Sequence, residues 1–351
     1  MNRRGAVSSV SVPGLRCFLL LLAGVLSLLC ACGACAQSGT PYTLHVNVRL
    51  LQVPTLVLGP AFQPMPGIAA KQFSIRLDHG PAFRPSEARP EGDDPITLAI
   101  LLDLSGSESD LIKQFSLDFS PWIAGSFRPA DRIALYGLDC KLVHTNGYLP
   151  ADPVRLQRAL DQVIHSPAVH GTKSGPACGR TLPLWDVLAF ITQQSSGLSG
   201  RRIILALTSG YNGHSSVKIS DVRDMAIDRS LTIFGLSQMT DFFEGPRIGE
   251  DLSSLCQLTG GLAMPASHDL PADLSRFVSM VRGRYILEFS EPSNVSPGGH
   301  RIDVTIDGAR AFIRPAGVAA ILDPSTANDP TVLPGDTANA PRMGKDRPRD
   351  R

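Results

Sequence analysis

One stretch constrains the fold of this chain more than any other: Ile96 to Ser107, I-T-L-A-I-L-L-D-L-S-G-S, an unbroken apolar run that stops on a carboxylate and two spaced hydroxyls. A run without alternation fits a central strand of a parallel sheet, because helices cover both faces of such a sheet. In open α/β sheets, ligands bind beyond the carboxyl ends of the strands. The run therefore predicts that Asp103, Ser105 and Ser107 lie at that edge. One carboxylate and two hydroxyls are hard oxygens of the kind that Mg2+ or Mn2+ takes. The same letters also suit a strand followed by a Ser-Gly turn that caps the next helix.

The flanking pattern predicts an alternation of strands and helices. A helix follows Ser107, with Leu111, Phe115 and Trp122 near one face and Asp110 in its first turn. Strands are expected at Arg132–Leu138, with Lys141–Thr145 pairing back on it, at Ile203–Leu207 and at Leu231–Leu236. Helical patterns occupy Val154–Ile164, Leu184–Thr192, Ile219–Arg229, Leu252–Leu258 and Ala272–Val281, and Gly260-Gly261 leads to a further short strand. This order specifies a doubly wound α/β domain with a mostly parallel, Rossmann-like sheet over residues 95–282. Outside it, Leu44–Leu50 and Phe73–Leu77 alternate within an N-terminal β segment, 41–80, with a Pro- and Gly-rich loop between them. Tyr285–Phe289, Arg301–Ile306 and Ala311–Arg314 do so within 283–317. The two sets are expected to pair in one small antiparallel β domain in which the α/β unit is inserted or by which it is flanked. Pro81–Asp94 reads as a linker, and 318–351 as a disordered tail with little to bury.

Both ends of the 351 residues fall outside this domain plan. Arg3, Arg4 and Arg16 precede an apolar stretch from Cys17 to Cys30 and an A-x-A site at Ala34-Cys35-Ala36, which reads as a secretory signal peptide over 1–36. The apolar stretch is short for a membrane span, so no transmembrane segment is expected after its removal. An alternative reading takes Leu29-Cys30-Ala31-Cys32 as a lipobox, with lipid on Cys32. Either reading places the mature protein outside the cytoplasm, in the periplasm or beyond the cell, with or without a lipid anchor. The net charge of +1 comes from interspersed charges with no basic stripe, which argues against nucleic-acid binding. Cys140, Cys178 and Cys256 remain in the mature chain. Oxidising surroundings permit one disulfide, and Cys140 with Cys178 is the candidate pair, both being expected in loops while Cys256 sits in a helical pattern. Three reduced cysteines acting as small hydrophobes is the alternative.

Several segments together resemble the secreted von Willebrand factor A related proteins of bacteria, especially a group abundant in acidobacteria. They are K-Q-F-S-I-R-L-D-H-G at Lys71–Gly80, L-L-D-L-S-G-S, G-R-T-L-P-L-W-D at Gly179–Asp186, I-I-L-A-L-T-S-G at Ile203–Gly210, C-Q-L-T-G-G at Cys256–Gly261 and Y-I-L-E-F from Tyr285. The resemblance spans Leu44 to Gly317 and implies a three-loop metal-ion-dependent adhesion site that binds Mg2+ or Mn2+. Its D-x-S-x-S part is Asp103, Ser105 and Ser107, and its threonine is Thr181. The step from Thr181 to Asp186 is one residue longer than the family's, with Pro183 the extra residue. At the third loop Ser209 stands where the family has an aspartate, and Asn212 stands near a second acidic position. A site with one carboxylate in place of two or three holds a divalent ion weakly, since ligand charge controls affinity. Asp139 and Glu108 are acidic residues placed to replace part of the lost charge, or else are solvated turn residues.

The resemblance implies a non-enzymatic adhesion or protein-interaction module, in which an open position on the ion takes an Asp or Glu carboxylate from a protein partner. Loops on a rigid scaffold also bind without metal, so a metal-independent structural or assembly component of the cell envelope is the alternative. A metal-dependent phosphohydrolase is a third reading, but its chemistry needs a second carboxylate two residues after the first, where this chain has Ser105. No G-x-S-x-G, H-E-x-x-H or P-loop pattern occurs, and His144, His165 and His170 have the spacing of neither a zinc pair nor a catalytic triad.

Overall fold

The computed structural model describes residues 50–321 apart from 61, 93, 107, 168–181, 199, 239–247 and 293–294, all within the compact unit Val48–Arg351. In chain order the elements begin with β1 (Leu50–Leu58), β2 (Phe73–Leu77), β3 (Glu87–Pro90), β4 (Ile96–Asp103) and α1 (Ser109–Ser126). Then come β5 (Arg132–Leu138), β6 (Leu142–His144), β7 (Leu149–Pro150), α2 (Pro153–Ile164), α3 (Leu184–Gln194) and β8 (Arg201–Leu207). The α/β part ends with α4 (Ile219–Asp228), β9 (Leu231–Ser237), α5 (Ile248–Leu258), β10 (Ala263–Pro265) and α6 (Leu270–Arg282). The chain returns to strands in β11 (Tyr285–Ser290), β12 (Gly298–His300), β13 (Ile302–Ile306), β14 (Phe312–Pro315) and β15 (Ala319–Ile321).

The main sheet runs β10-β9-β8-β4-β5-β6, with β7 also on β5; β4 is parallel to β5 and β8, and β9 to β8 and β10. Every residue of β4 is buried, and its side chains divide between two cores. Ile96, Leu98, Ile100 and Leu102 pack under α1, α2 and α6, with Phe115, Leu160 and Phe277; Ala99 and Leu101 pack under α3, α4 and α5, with Leu188, Val222 and Cys256. Two covered faces explain the absence of alternation in the sequence. The sheet is a doubly wound, mostly parallel α/β sheet. Local signals set the helix starts: Asp152 Oδ1 accepts from Arg155 N at 2.6 Å with Pro153 in the first turn, and Asp269 Oδ1 accepts from Ala272 N at 3.1 Å.

The remaining strands form antiparallel sheets. β1 pairs with β11 and β14, β11 with β3, β2 with β13, and β12 with β15, around a core that includes Val53, Phe73, Ile75, Leu287, Phe289 and Ile302. Three sequence readings are corrected. The segment after Leu50, predicted as loop because of its proline, is strand β1 to Leu58. Pro54 O accepts from Ala316 N just beyond the end of β14, so the missing proline N–H falls on that side, where no strand needs it. Glu87–Pro90, predicted as linker, is β3, and Ala319–Ile321, predicted as tail, is β15; both are short segments whose pairing comes from β11 and β12 rather than from their own composition. Residues 44–49 lie outside the described residues.

A buried ionic cluster lies where β4, β8, α6 and β11 come together. Arg284 is 2 % exposed and forms a two-pronged pair with Glu91, Nε–Oε2 2.7 Å and Nη2–Oε1 3.1 Å, while Nη1 donates to Thr232 Oγ1 at 2.7 Å. Arg201 Nε lies 3.4 Å from Glu91 Oε1, and its Nη2 donates to the carbonyls of Gly92 and Asp94. Arg282 Nη2 reaches Asp131 Oδ2 at 2.9 Å, and Asp131 Oδ1 accepts from Ile96 N, the first residue of β4.

His300 and Asp78 join β12 to the end of β2 through a 2.7 Å Nδ1–Oδ2 contact. The bond to Asp78 raises the His300 pKa above its ordinary 6.5, and the bond from His300 lowers that of Asp78 below 3.8. The raised histidine contributes stability that is complete below pH 6.5 and is lost as pH rises through its folded value. The lowered aspartate contributes stability that is complete above pH 3.8 and is lost as pH falls through its folded value. The Tm difference between wild type and His300→Gln is therefore expected to be greatest between pH 3.8 and 6.5 and to narrow on either side. A difference constant from acid to alkaline pH in calorimetric scans would contradict this.

Candidate functional site at the carboxyl edge of the main sheet

β4 connects onward to β5 on one side, and its other neighbour, β8, arrives much later in the chain. The loops after β4 and β8 therefore leave toward helices on opposite faces of the sheet, which makes this the switch point of the doubly wound order. Asp103 is the last residue of β4, and Thr208 and Ser209 follow directly on β8. All three are buried.

The Asp103 carboxylate ties these loops together. Its Oδ1 accepts from Ser105 N at 3.1 Å and from Ser105 Oγ at 2.6 Å, a local turn in which a side chain takes the place of a carbonyl. Its Oδ2 accepts from Thr208 Oγ1 at 2.8 Å across the strand pair. Gly106 has φ +108, a left-handed conformation that lets the chain reverse toward α1. Thr208 Oγ1 also accepts from Gly210 N at 3.2 Å, and Ser209 Oγ accepts from Tyr211 N at 3.3 Å. Ser209 thus organises its own turn, while Thr208 is the residue that meets Asp103. Tyr211 stands half-exposed at the same edge.

Glu108 is fully buried, which corrects the reading of it as a solvated turn residue. Its Oε1 accepts from Ser237 Oγ at 2.9 Å and its Oε2 from Gln238 N at 2.8 Å, so it fastens the start of α1 to the end of β9; Gln238 Oε1 in turn accepts from Leu111 N. Burial pushes its pKa up, and the neighbouring charge of Asp103 pushes the same way, against the two hydrogen bonds. Asp139 is partly exposed.

The loop after β8 is stitched to the head of α3. Asn212 Oδ1 accepts from Ser215 Oγ at 2.6 Å, Ser215 Oγ accepts from Trp185 N at 3.1 Å, and Leu182 O accepts from Gly213 N at 2.9 Å. Asp186 accepts from Ser216 N at 3.1 Å and Val217 N at 2.8 Å. Asn212 and Asp186 therefore fix the loop and the unsatisfied first turn of the helix rather than reaching Asp103. Ser107, Thr181, Cys178 and Cys32 lie outside the described residues. Cys140 is disulfide-bonded, and Cys256 is a free, buried thiol whose pKa burial pushes up. His144 lies between the rings of Tyr136 and Phe190, at 5.5 and 5.7 Å, and His165 Nδ1 contacts Asp161 O, so these two serve local packing; His170 lies outside the described residues.

Among the described residues no three His, Cys, Asp or Glu side chains gather as a metal cluster. The oxygens that do converge, from the Asp103 carboxylate and the hydroxyls of Ser105 and Thr208, are of the hard type that suits Mg2+ or Mn2+. The type of donor fits such an ion; the charge comes from a single carboxylate, because Glu108 is committed to Ser237 and Gln238. Sequence reading missed Thr208, although its place one step beyond a strand parallel and adjacent to β4 is the signal that finds it.

No family model and no curated protein matches this chain. Among solved structures, similarity is found to a von Willebrand factor type A protein from Catenulispora acidiphila, at 11 % identity and TM-score 0.42 over 81 % of this chain and 76 % of that one. The open conformation of the pilus adhesin SpaC from Lactobacillus rhamnosus GG gives 11 % and 0.40 over 81 % and 50 %. BatB from Bacteroides thetaiotaomicron gives 13 % and 0.37 over 53 % and 98 %. Likenesses at these scores carry no argument about function, which rests on the residues of the site themselves. Those residues form a preorganised, oxygen-lined carboxyl edge centred on Asp103 and Thr208.

Proposed function

We propose that this carboxyl edge is a protein-binding surface of an exported, non-enzymatic adhesion or interaction module. The observation that carries the reading is the Asp103–Thr208 bond at the switch point, which holds a buried carboxylate and two loops in one geometry. Asp103 and Ser105 would hold Mg2+ or Mn2+ weakly, with Ser107, Thr181 and Ser209 as the remaining proposed oxygens. Such an ion takes roughly six oxygens, and one left to exchangeable water supplies a position for an Asp or Glu carboxylate of the partner. Ser105 orients the Asp103 carboxylate from one side and Thr208 from the other, and Glu108 locks the α1 end of the loop. With Ser105 two residues after Asp103, the site lacks the second carboxylate of a phosphohydrolase.

A metal-independent envelope component is the second reading, and Tyr211 favours it. A half-exposed tyrosine beside a rigid edge is the kind of anchor that dominates protein interfaces without an ion. No helix among the described residues is long and apolar enough to cross a membrane.

The two readings separate in a calorimetric titration of the chain with Mg2+ and Mn2+. Wild type is expected to bind weakly, Asp103→Ala not at all, and Ser209→Asp about tenfold more tightly, since the added carboxylate restores ligand charge. Absence of both heat and thermal shift in wild type would eliminate the cation-dependent reading, and an affinity unchanged in Ser209→Asp would show that position 209 does not face the ion.

A further inference from the structure

A second surface, sharing no residue with the carboxyl edge, is a groove of about 1140 Å3 between the strands β13 and β14 and the helices α4 and α5. Its volume exceeds the roughly 300–1,000 Å3 of sites that take small ligands. Two features of its walls are chemically specific.

The first is an unpaired strand edge. Arg301 O accepts from Asp78 N and Asp307 N donates to Gln72 O, so the odd-numbered residues of β13 direct their main-chain groups toward β2. The N–H and C=O of Ile302, Val304 and Ile306 then face the other way, and among the described residues β13 has no strand partner on that side. Across the groove, β14 turns Phe312 and Arg314 toward β1, which leaves Ile313 N–H outward. An edge of this kind is a template for an added strand.

The second feature is Arg314. It is half-buried, stacks at 4.2 Å on Phe312, and donates to Ile313 O at 2.8 Å and Gln257 Oε1 at 3.0 Å, both neutral. Among the described residues no carboxylate pairs with it, whereas the other arginines of the groove have acidic partners: Arg223 pairs with Asp224 at 2.8 Å and Arg301 with Asp303 at 3.4 Å. Burial lowers its pKa, but a guanidinium stays charged at neutral pH. A half-buried cation with no carboxylate in contact favours an anionic group at that one position, while Asp224, Asp228 and Asp303 offset the charge of the other arginines along the groove. Leu258, 48 % exposed on the same wall, offers apolar contact.

We propose that this groove receives an extended, acidic peptide segment of a partner protein, which adds as a strand along the free edge of β13 and sets a carboxylate on Arg314. Main-chain bonds to Val304 supply register, Arg314 selects the acidic side chain, and Leu258 packs against an apolar neighbour.

The test is fluorescence anisotropy of the full chain with a labelled peptide alternating valine and glutamate. Saturable binding that weakens with salt is expected, and Arg314→Gln should lose about tenfold or more in affinity, the size of one charge-assisted contact. A peptide with lysine for glutamate, or with alternate amides N-methylated, should fail to bind. Val304→Pro removes a donor from the free edge and also trims a side chain of the antiparallel core, so it should weaken binding in protein whose circular dichroism and Tm are first shown to stay native. Equal binding by Arg314→Gln or by the methylated peptide would overturn the proposal. So would a self-association that excludes the peptide and is broken by Val304→Pro, since the groove would then belong to a second copy of this chain.

Discussion

Glu91→Ala is expected to lower stability by about 3–5 kcal/mol, the usual cost of removing one partner from a buried ion pair. Glu91 is 3 % exposed and faces two arginines, Arg284 at 2.7 Å and Arg201 at 3.4 Å. Its loss leaves both guanidiniums in a space where water does not replace the carboxylate, and a neutral arginine is inaccessible at any ordinary pH. The effect corresponds to a fall in Tm on the order of 10 °C for a chain of this size. The double variant Glu91→Leu with Arg284→Met should recover part of the loss, because it removes one of the two buried guanidiniums with the carboxylate and fills the space, while Arg201 keeps its bonds to the carbonyls of Gly92 and Asp94. Equal stability of wild type and Glu91→Ala in thermal and urea denaturation would show that the cluster is hydrated. Because Arg284 stands at the entrance to β11 and Arg201 opens β8, the same residue also couples the antiparallel strands to the main sheet.

Gly261→Ala is the second large effect. A β-carbon there would lie 2.0 Å from the carbonyl oxygen of Ile233 and 2.9 Å from its carbonyl carbon. Both atoms belong to the backbone of β9, which is held by β8 on one side and β10 on the other. No flexible side chain can give way, so the strand or the turn must move. The adjoining Gly260 has φ +88, and a β-carbon there would stand 2.7 Å from that of Ala316. The pair thus permits a close passage between the helix α5 and strand β10, and seats the chain after β14 against it. A destabilisation of about 3 kcal/mol or more is expected, the upper end for overpacked sites. Gly125→Ala, inside α1 with open space around it, should be neutral or slightly stabilising by comparison. Soluble, equally stable Gly261→Ala protein would contradict the geometry.

The parallel sheet was legible because its strands lack alternation for a single physical reason, burial on both faces, and because the helices between them carry periodic apolar residues and strong starts such as Asp152-Pro153. The antiparallel strands were less so. β1 passes through Pro54, and β3 and β15 are short and hold their place through partners distant in sequence, which no local window contains. At the site, Asp103 and Ser105 were legible as the end of a buried strand and its turn. Thr208 and Glu108 were not. Thr208 acts through the register of β8 against β4, and Glu108, an acidic residue at a helix start, reads as solvent-facing until Ser237 and Gln238 are brought to it. Asn212 and Asp186 show the converse: positions singled out by spacing serve the loop that carries the site.

The claim that Asp103 anchors a cation-dependent binding edge is tested most directly by Mn2+ titration monitored through paramagnetic broadening of backbone amide signals. The account predicts early, selective loss of the Ser105, Thr208 and Gly210 signals in wild type and none in Asp103→Ala. Broadening that leaves those three amides untouched, or that persists unchanged in Asp103→Ala, would contradict it.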